Sequence, residues 1–297
     1  MNVPKGSPNI HLDMITPMTL QQAIERAPSI GATRADINPA TTYQFISTRE
    51  TLEQVLDNGW TIVGASAAGR SLAAQHRVTL VRNEDLENEN FNDEGILRME
   101  LFNSHNKTKR FMTAIGFFKW ACSNGLIAAY GPAESIRTKH RFSDSRLEAI
   151  MTKIQEASQY YPQILGMIES FKQRRLSDVE QTDFAKYAIL GRYLYRQNPP
   201  KVLGDIEKMA QRLLSVRREE DNGDTAWQVY NRVQENVVRG IEGVTRPLKS
   251  YDDHIRVNRL LWKGAETALT HANAPFKSEL NNLLLKNKKK KAVVQVN

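Results

Sequence analysis

A chain of 297 residues with 40% hydrophobic and 25% charged content can bury a large core, which excludes an intrinsically disordered polypeptide. Its single cysteine, Cys122, excludes an internal disulfide framework, and no run approaches the roughly 20 apolar residues of a membrane-spanning helix. Five of the eight net positive charges sit in one segment, Lys286 and Lys288 to Lys291; without them the balance is +3, so composition alone does not identify a polyanion binder.

The opening residues, MNVPKGSPNIHLDM, lack the apolar stretch of a secretory leader, and residues 1–40 read as an extension to the fold. Residues 41–142 form a strand-rich basic region. Its β-favouring runs are TTYQFIST (41–48), WTIVGAS (60–66), HRVTLVR (76–82) and ILRMELFN (96–103), with further runs near 111–120, 126–130 and 135–141. In the fourth run Ile96, Arg98, Glu100 and Phe102 alternate with Leu97, Met99 and Leu101. One short helix interrupts these strands: Ser47 to Glu50 is a capping box, Leu52, Val55 and Leu56 make an apolar stripe, and Asn58-Gly59 ends it. The six carboxylates of EDLENENFNDE (84–94) predict an exposed loop.

Residues 143–285 are helical, with 286–297 a basic tail. Ser143-Asp144 starts a segment to about Arg175, and the Ser177–Glu180 capping box opens another to about Tyr195, stopped by Asn198-Pro-Pro200. Helices also fit 201–219, 225–240, 252–272 and 278–290, with start signals at Thr225–Gln228 and Ser250–Asp253. Strands followed by helices predict an α+β fold: a curved antiparallel sheet with one short helix, then a helical half packed on it, the two forming one composite domain.

Three features could carry chemistry. GASAAGRS (64–71) approaches a phosphate-binding loop, but Arg70 replaces the lysine and too few residues follow for the helix that loop requires; a tight strand connection fits better. Cys122 could act as a nucleophile with His105 or His140, yet Asn124-Gly125 behind it is a strong hairpin signal and a lone cysteine is usually buried and inert. The six histidines show no ligand spacing, so neither a metal nor another cofactor is expected, and the balance leans away from an enzyme.

The third feature is charge. Between Asn103 and Arg141 lie Lys107, Lys109, Arg110, Lys119, Arg137, Lys139 and Arg141, opposed by Glu134 alone. Phe111, Phe117, Phe118, Trp120 and Tyr130 are interleaved, and cations on phosphates beside aromatic faces for bases are what single-strand binding requires. The same aromatics could instead fill a core. A second constellation lies on the 225–240 helix. Trp227, Tyr230, Val233, Val237 and Ile241 form its apolar stripe, and Asn231, Glu235 and Arg239 line the other side with Arg232 and Asn236. This reads either as a capped surface helix or as a polar network locking the helical half onto the sheet.

NSHNKTKRF, KWACSNGLI and RTKHR, followed by W-x-x-Y-N-R-V-Q-E-N-x-x-R-G and LLW (260–262), resemble a family of phage- and plasmid-borne proteins of unknown function. The resemblance spans about residues 40–270. It implies Asn103, Ser104, Cys122, Asn124, Gly125, Leu126, His140, Asn231, Gln234 and Glu235 as signature positions, with Arg239 beside them in the helix pattern. It also implies a mobile-element origin in a bacterial cytoplasm, and supplies no reaction. The strand-then-helix order is loosely similar to phage single-strand annealing proteins. The expectation is a single-stranded nucleic-acid-binding protein, DNA favoured over RNA, acting in annealing or recombination, as a homo-oligomer and without membrane association. The alternative is a protein-interaction module, such as an inhibitor of a host defence enzyme.

Overall fold

The computed structural model describes residues 16–35, 45–87, 96–106, 108, 111–118, 136–138, 148, 152, 155, 156, 159, 161–194, 205–248 and 251–270. These fall into two compact units, one built on a sheet and one, from Tyr161 onward, of helices.

In the first unit, helix α1 (Leu20–Arg26) opens on Thr19 and Gln22, each of which caps the other's backbone N–H. A 3-10 turn, Pro28–Gly31, follows and buries Ser29 and Ile30. Helix α2 (Thr48–Asp57) is capped by Ser47, whose hydroxyl accepts from Glu50 N–H at 3.2 Å, and ends on Gly59 at φ +83°. The run TTYQFIST is therefore not a strand where it is described: residues 45–47 are irregular and Thr48 is already helical. The cap overrides the β-favouring composition.

Five strands, β1 (Trp60–Ala67), β2 (His76–Arg82), β3 (Ile96–Asn103), β4 (Phe111–Phe118) and β5 (Ile136–Thr138), pair antiparallel in chain order. A bulge between Ile62 and Gly64 shifts the register of β1. Ile62, Leu80 and Met99 are opposed across three strands and Val78 and Leu101 across two, and all five are fully buried. Helices α1 and α2 pack on β1, and Leu52, Val55 and Ile30 complete this core. The alternation in β3 is real, but its other side is buried as well: Thr79, Glu100, Phe102, Met112 and Ala114 are all covered. The acidic run starts as a short helix, α3 (Asn83–Glu87), instead of a loop. Arg82 holds both oxygens of Asp85 and pairs with Glu84, and both carboxylates sit in the first turn, where the helix dipole favours them. Among the described residues the sheet unit thus has α1 and α3 beside the one helix read from the sequence, and its residues 148, 152, 155, 156 and 159 are helical too.

The helical unit comprises α4 (Tyr161–Gln173), α5 (Asp178–Leu194), α6 (Ile206–Leu213), a 3-10 turn (Glu219–Asp221), α7 (Ala226–Arg239) and α8 (Tyr251–Thr270). The single helix read over 201–219 is thus broken after Leu213. Ser177–Glu180 and Thr225–Gln228 form the capping boxes read from the sequence. Helix α7 packs against α4, α5, α6 and α8 and is central. Its Trp227 and Tyr230 stack at 5.8 Å, and Tyr230 meets Trp262 edge-on at 5.9 Å, with Phe171 and Phe184 adjoining. Helices α5 and α8 approach closely at Gly191, where a side chain would collide with Leu260, and at Gly264, where it would collide with Tyr187.

Candidate functional site

Of the residues read as nucleic-acid contacts, Lys107, Lys109, Arg110, Lys119, Trp120, Lys139 and Arg141 lie outside the described residues, as do the signature positions Cys122, Asn124, Gly125, Leu126 and His140. Arg137 is in β5, opposite Met112. The phosphate-loop reading is excluded. Residues 64–67 finish β1, residues 68–75 connect it to β2, and no helix follows.

What the register assembles is one end of the sheet. Ala67 pairs with His76, His76 with Asn103, and Phe111 with Thr138; the neighbouring Phe102–Met112 pair sets Asn103 beside Phe111. Ala67, His76, Asn103, Phe111 and Thr138 therefore form a terminal row across all five strands. The 68–75 connection and the 104–110 segment leave from this row, and Thr138 ends β5 on it. Residues 68–75, 104–110 and 139–141 carry Arg70, Lys107, Lys109, Arg110, Lys139 and Arg141 and contain no carboxylate.

A buried polar hub organises the same end. Asn103 Nδ2 donates to Ile46 O and to Thr48 Oγ1, both at 3.0 Å, and its Oδ1 accepts from Ser104 N at 2.8 Å. His76 Nδ1 donates to Ala74 O at 3.1 Å, so its Nε2 accepts from the Thr48 hydroxyl at 2.8 Å. His105 donates its backbone N–H to Ala73 O at 3.2 Å and Nε2–H to Ser29 O at 3.0 Å. Its ring lies 5.3 Å from that of His76 and 4.7 Å from that of Phe45. Two signature residues, Asn103 and Ser104, are thus buried at this end, with Asn103 organising its hydrogen bonds. The parts played by His76, His105 and Thr48 were not readable from spacing. They follow from a register that sets the start of β2 against the end of β3.

Burial, reinforced by the neighbouring His105, pushes the His76 imidazole down to about 4 from 6.5. The folded state then resists a proton that the unfolded chain accepts below about pH 6.5. The stabilisation is complete above that pH and is lost as pH falls toward 4, about 3 kcal/mol in all. Urea midpoints followed from pH 7 to 4 should drop more steeply for the natural chain than for His76→Gln; identical pH profiles would refute the assignment.

On the other side of the sheet, Glu100 is buried with Thr79 Oγ1 at 2.9 Å, Arg98 at 3.1 Å and Arg77 at 3.8 Å. Burial pushes its carboxyl up, against the pull of the two arginines.

Helix α7 is buried on every side, so the surface-helix reading is overturned. Glu235 accepts from Arg218 Nε and Nη2, each at 3.0 Å, and from Arg239 at 3.2 Å. Asn236 donates to Leu213 O and Ser215 O and accepts from Arg217; Gln234 donates to Asn258, and Arg232 donates to Gln181. Asn231 donates to Trp227 O. These partners lie within the helical unit, and the network ties α7 to α5, α6, α8 and the 213–223 stretch.

Among the described residues no group of three His, Cys, Asp or Glu could hold a metal, and no helix is long and apolar enough to cross a membrane. No solved structure matches the chain. Two curated relatives are from Escherichia coli (strain K12). UPF0380 protein YfjQ is 27% identical over 186 residues, covering 57% of this chain and 62% of its own length, less than two thirds of that protein. UPF0380 protein YafZ is 23% identical over 275 residues, covering 86% of this chain and 92% of its own. The profile described as "Domain of unknown function (DUF932)" matches residues 39–262, a span that takes in the sheet, the hub at its end and the central helix α7, and the chain belongs to that family.

Proposed function

We propose that this protein binds single-stranded nucleic acid, DNA in preference to RNA, and serves strand annealing or recombination for a phage or prophage in a bacterial cytoplasm. The observation that supports this reading is the terminal row of the sheet: the 68–75 connection carrying Arg70 leaves from it, and residues 104–110 and 139–141, which follow Asn103 and Thr138 of that row in sequence, hold five more cations and no carboxylate. A phosphate backbone is the ligand such a distribution favours, because each neutralised phosphate releases condensed counterions. The middle of the sheet's Glu100 side is buried, so contact belongs to this end and its margins, and not to a platform across the strands.

Fluorescence anisotropy of a labelled oligonucleotide tests the proposal. Binding should weaken steeply with salt, and reversing Lys139 and Arg141 to Glu should lower the slope of log affinity against log salt by about 1.4, roughly 0.7 per lost phosphate contact. Salt-independent binding, no binding, or an unchanged slope in the reversed variant would each count against it. The other reading, an interaction module for a host protein, predicts nuclease-resistant capture of one partner from lysate.

A further inference from the structure

The 68–75 connection carries more than charge. Gly69, Arg70, Ser71 and Leu72 are exposed, whereas Ala73 and Ala74 behind them are buried. The base of this loop is tied on several sides. Ala68 N–H donates to Gln75 O at 2.8 Å, Ala74 N–H to Ser71 O at 3.0 Å, and Ala73 N–H to the Ser71 hydroxyl at 3.1 Å. The carbonyls of Ala73 and Ala74 receive the His105 backbone N–H and the His76 ring, so the buried hub grips the loop from beneath.

Leu72 on this tip is 60% exposed, one of three large hydrophobic side chains so placed among the described residues. A single exposed leucine is ordinary by itself. Its setting is not. It stands two residues from Arg70, for which no ion pair or hydrogen bond occurs among the described residues. Of the three arginines of the β1–β2 hairpin, Arg77 faces Glu100 and Arg82 is held by Glu84 and Asp85, so Arg70 at the tip is the one with no such partner among the described residues.

We propose that the tip formed by Arg70 and Leu72 is the base-contacting element of the nucleic-acid interface, with Arg70 on a phosphate and Leu72 against the face of an unstacked base. The inference rests on the single-strand-binding reading above. The exposed Arg70 offers a cation to a phosphate, and aliphatic side chains serve as wedges against or between bases in proteins that unstack them. Because the hub holds the loop before any ligand arrives, little ordering is required on binding.

The experiment compares an oligothymidylate with an abasic oligonucleotide of equal length, using the full chain and two exposed substitutions that leave the hub intact. Leu72→Ser should weaken binding to the oligothymidylate severalfold, leave its salt slope unchanged, and leave abasic binding unchanged. Arg70→Gln should lower the salt slope by about 0.7 on both ligands. If both variants bind like the natural chain while reversal of Lys139 and Arg141 weakens binding, the tip assignment is wrong and the broader reading stands. If the natural chain binds neither ligand, the broader reading itself fails. Equal loss on both ligands for Leu72→Ser would overturn the base contact.

Discussion

Replacing Glu235 with alanine is expected to destabilise the helical unit by about 4 kcal/mol, the middle of the range for removing one partner of a buried ion pair. The carboxylate is 1% exposed and holds two guanidinium groups, of which Arg218 is only 15% exposed and cannot turn fully to water. Losing Glu235 leaves that charge partly buried and removes one of the ties between α7 and the stretch carrying Arg218. The measurement is the urea midpoint of the variant against the natural chain. A loss below about 1 kcal/mol would place the pair with ordinary surface salt bridges.

The second large effect is expected at Gly240, the residue that ends α7. Its backbone stands at φ +80° and ψ 154°, a conformation essentially confined to glycine. A methyl group there would lie 2.6 Å from both Pro247 N and Thr245 O, backbone atoms that cannot turn aside. Backbone strain and overlap together put the cost of Gly240→Ala at about 4 kcal/mol. By calorimetry this corresponds to a fall in Tm of roughly 15 °C for a unit of this size. Gly69→Ala is the matched control, since a Cβ at Gly69 meets nothing within 4 Å. Equal effects at the two positions would show that the end of α7 gives way.

Both effects concern residues whose chemistry is visible in the sequence but whose setting is not. Glu235 and Arg239 stand four apart on a helical pattern, which ordinarily marks a weak surface pair. The structure makes Glu235 a buried anchor because α6, the 213–223 stretch and α8 close over the side that polarity alone would leave to solvent. The apolar stripe of α7 was legible because Trp227, Tyr230, Val233 and Val237 recur at helical spacing, and all four are buried. The polar side could not be read, because Asn236 finds its partners at Leu213 and Ser215, more than twenty residues away.

The basic end of the sheet divides in the same way. Charge segregation in 103–141 and the tight connection at 68–75 were readable locally, as was the end of α2 at Asn58-Gly59. That the 68–75 connection leaves from the same end of the sheet as Asn103 was not, since the two meet only through the pairing of β2 with β3. Short-range chemistry, meaning caps, alternation, turn residues and charge runs, determined which elements form and where the positive charge is carried, because each signal acts within a few residues. Only the tertiary structure decided which strand ends share a row and which polar groups are buried. Those outcomes depend on antiparallel register and helix packing between residues such as Thr48 and Asn103, which no local pattern connects.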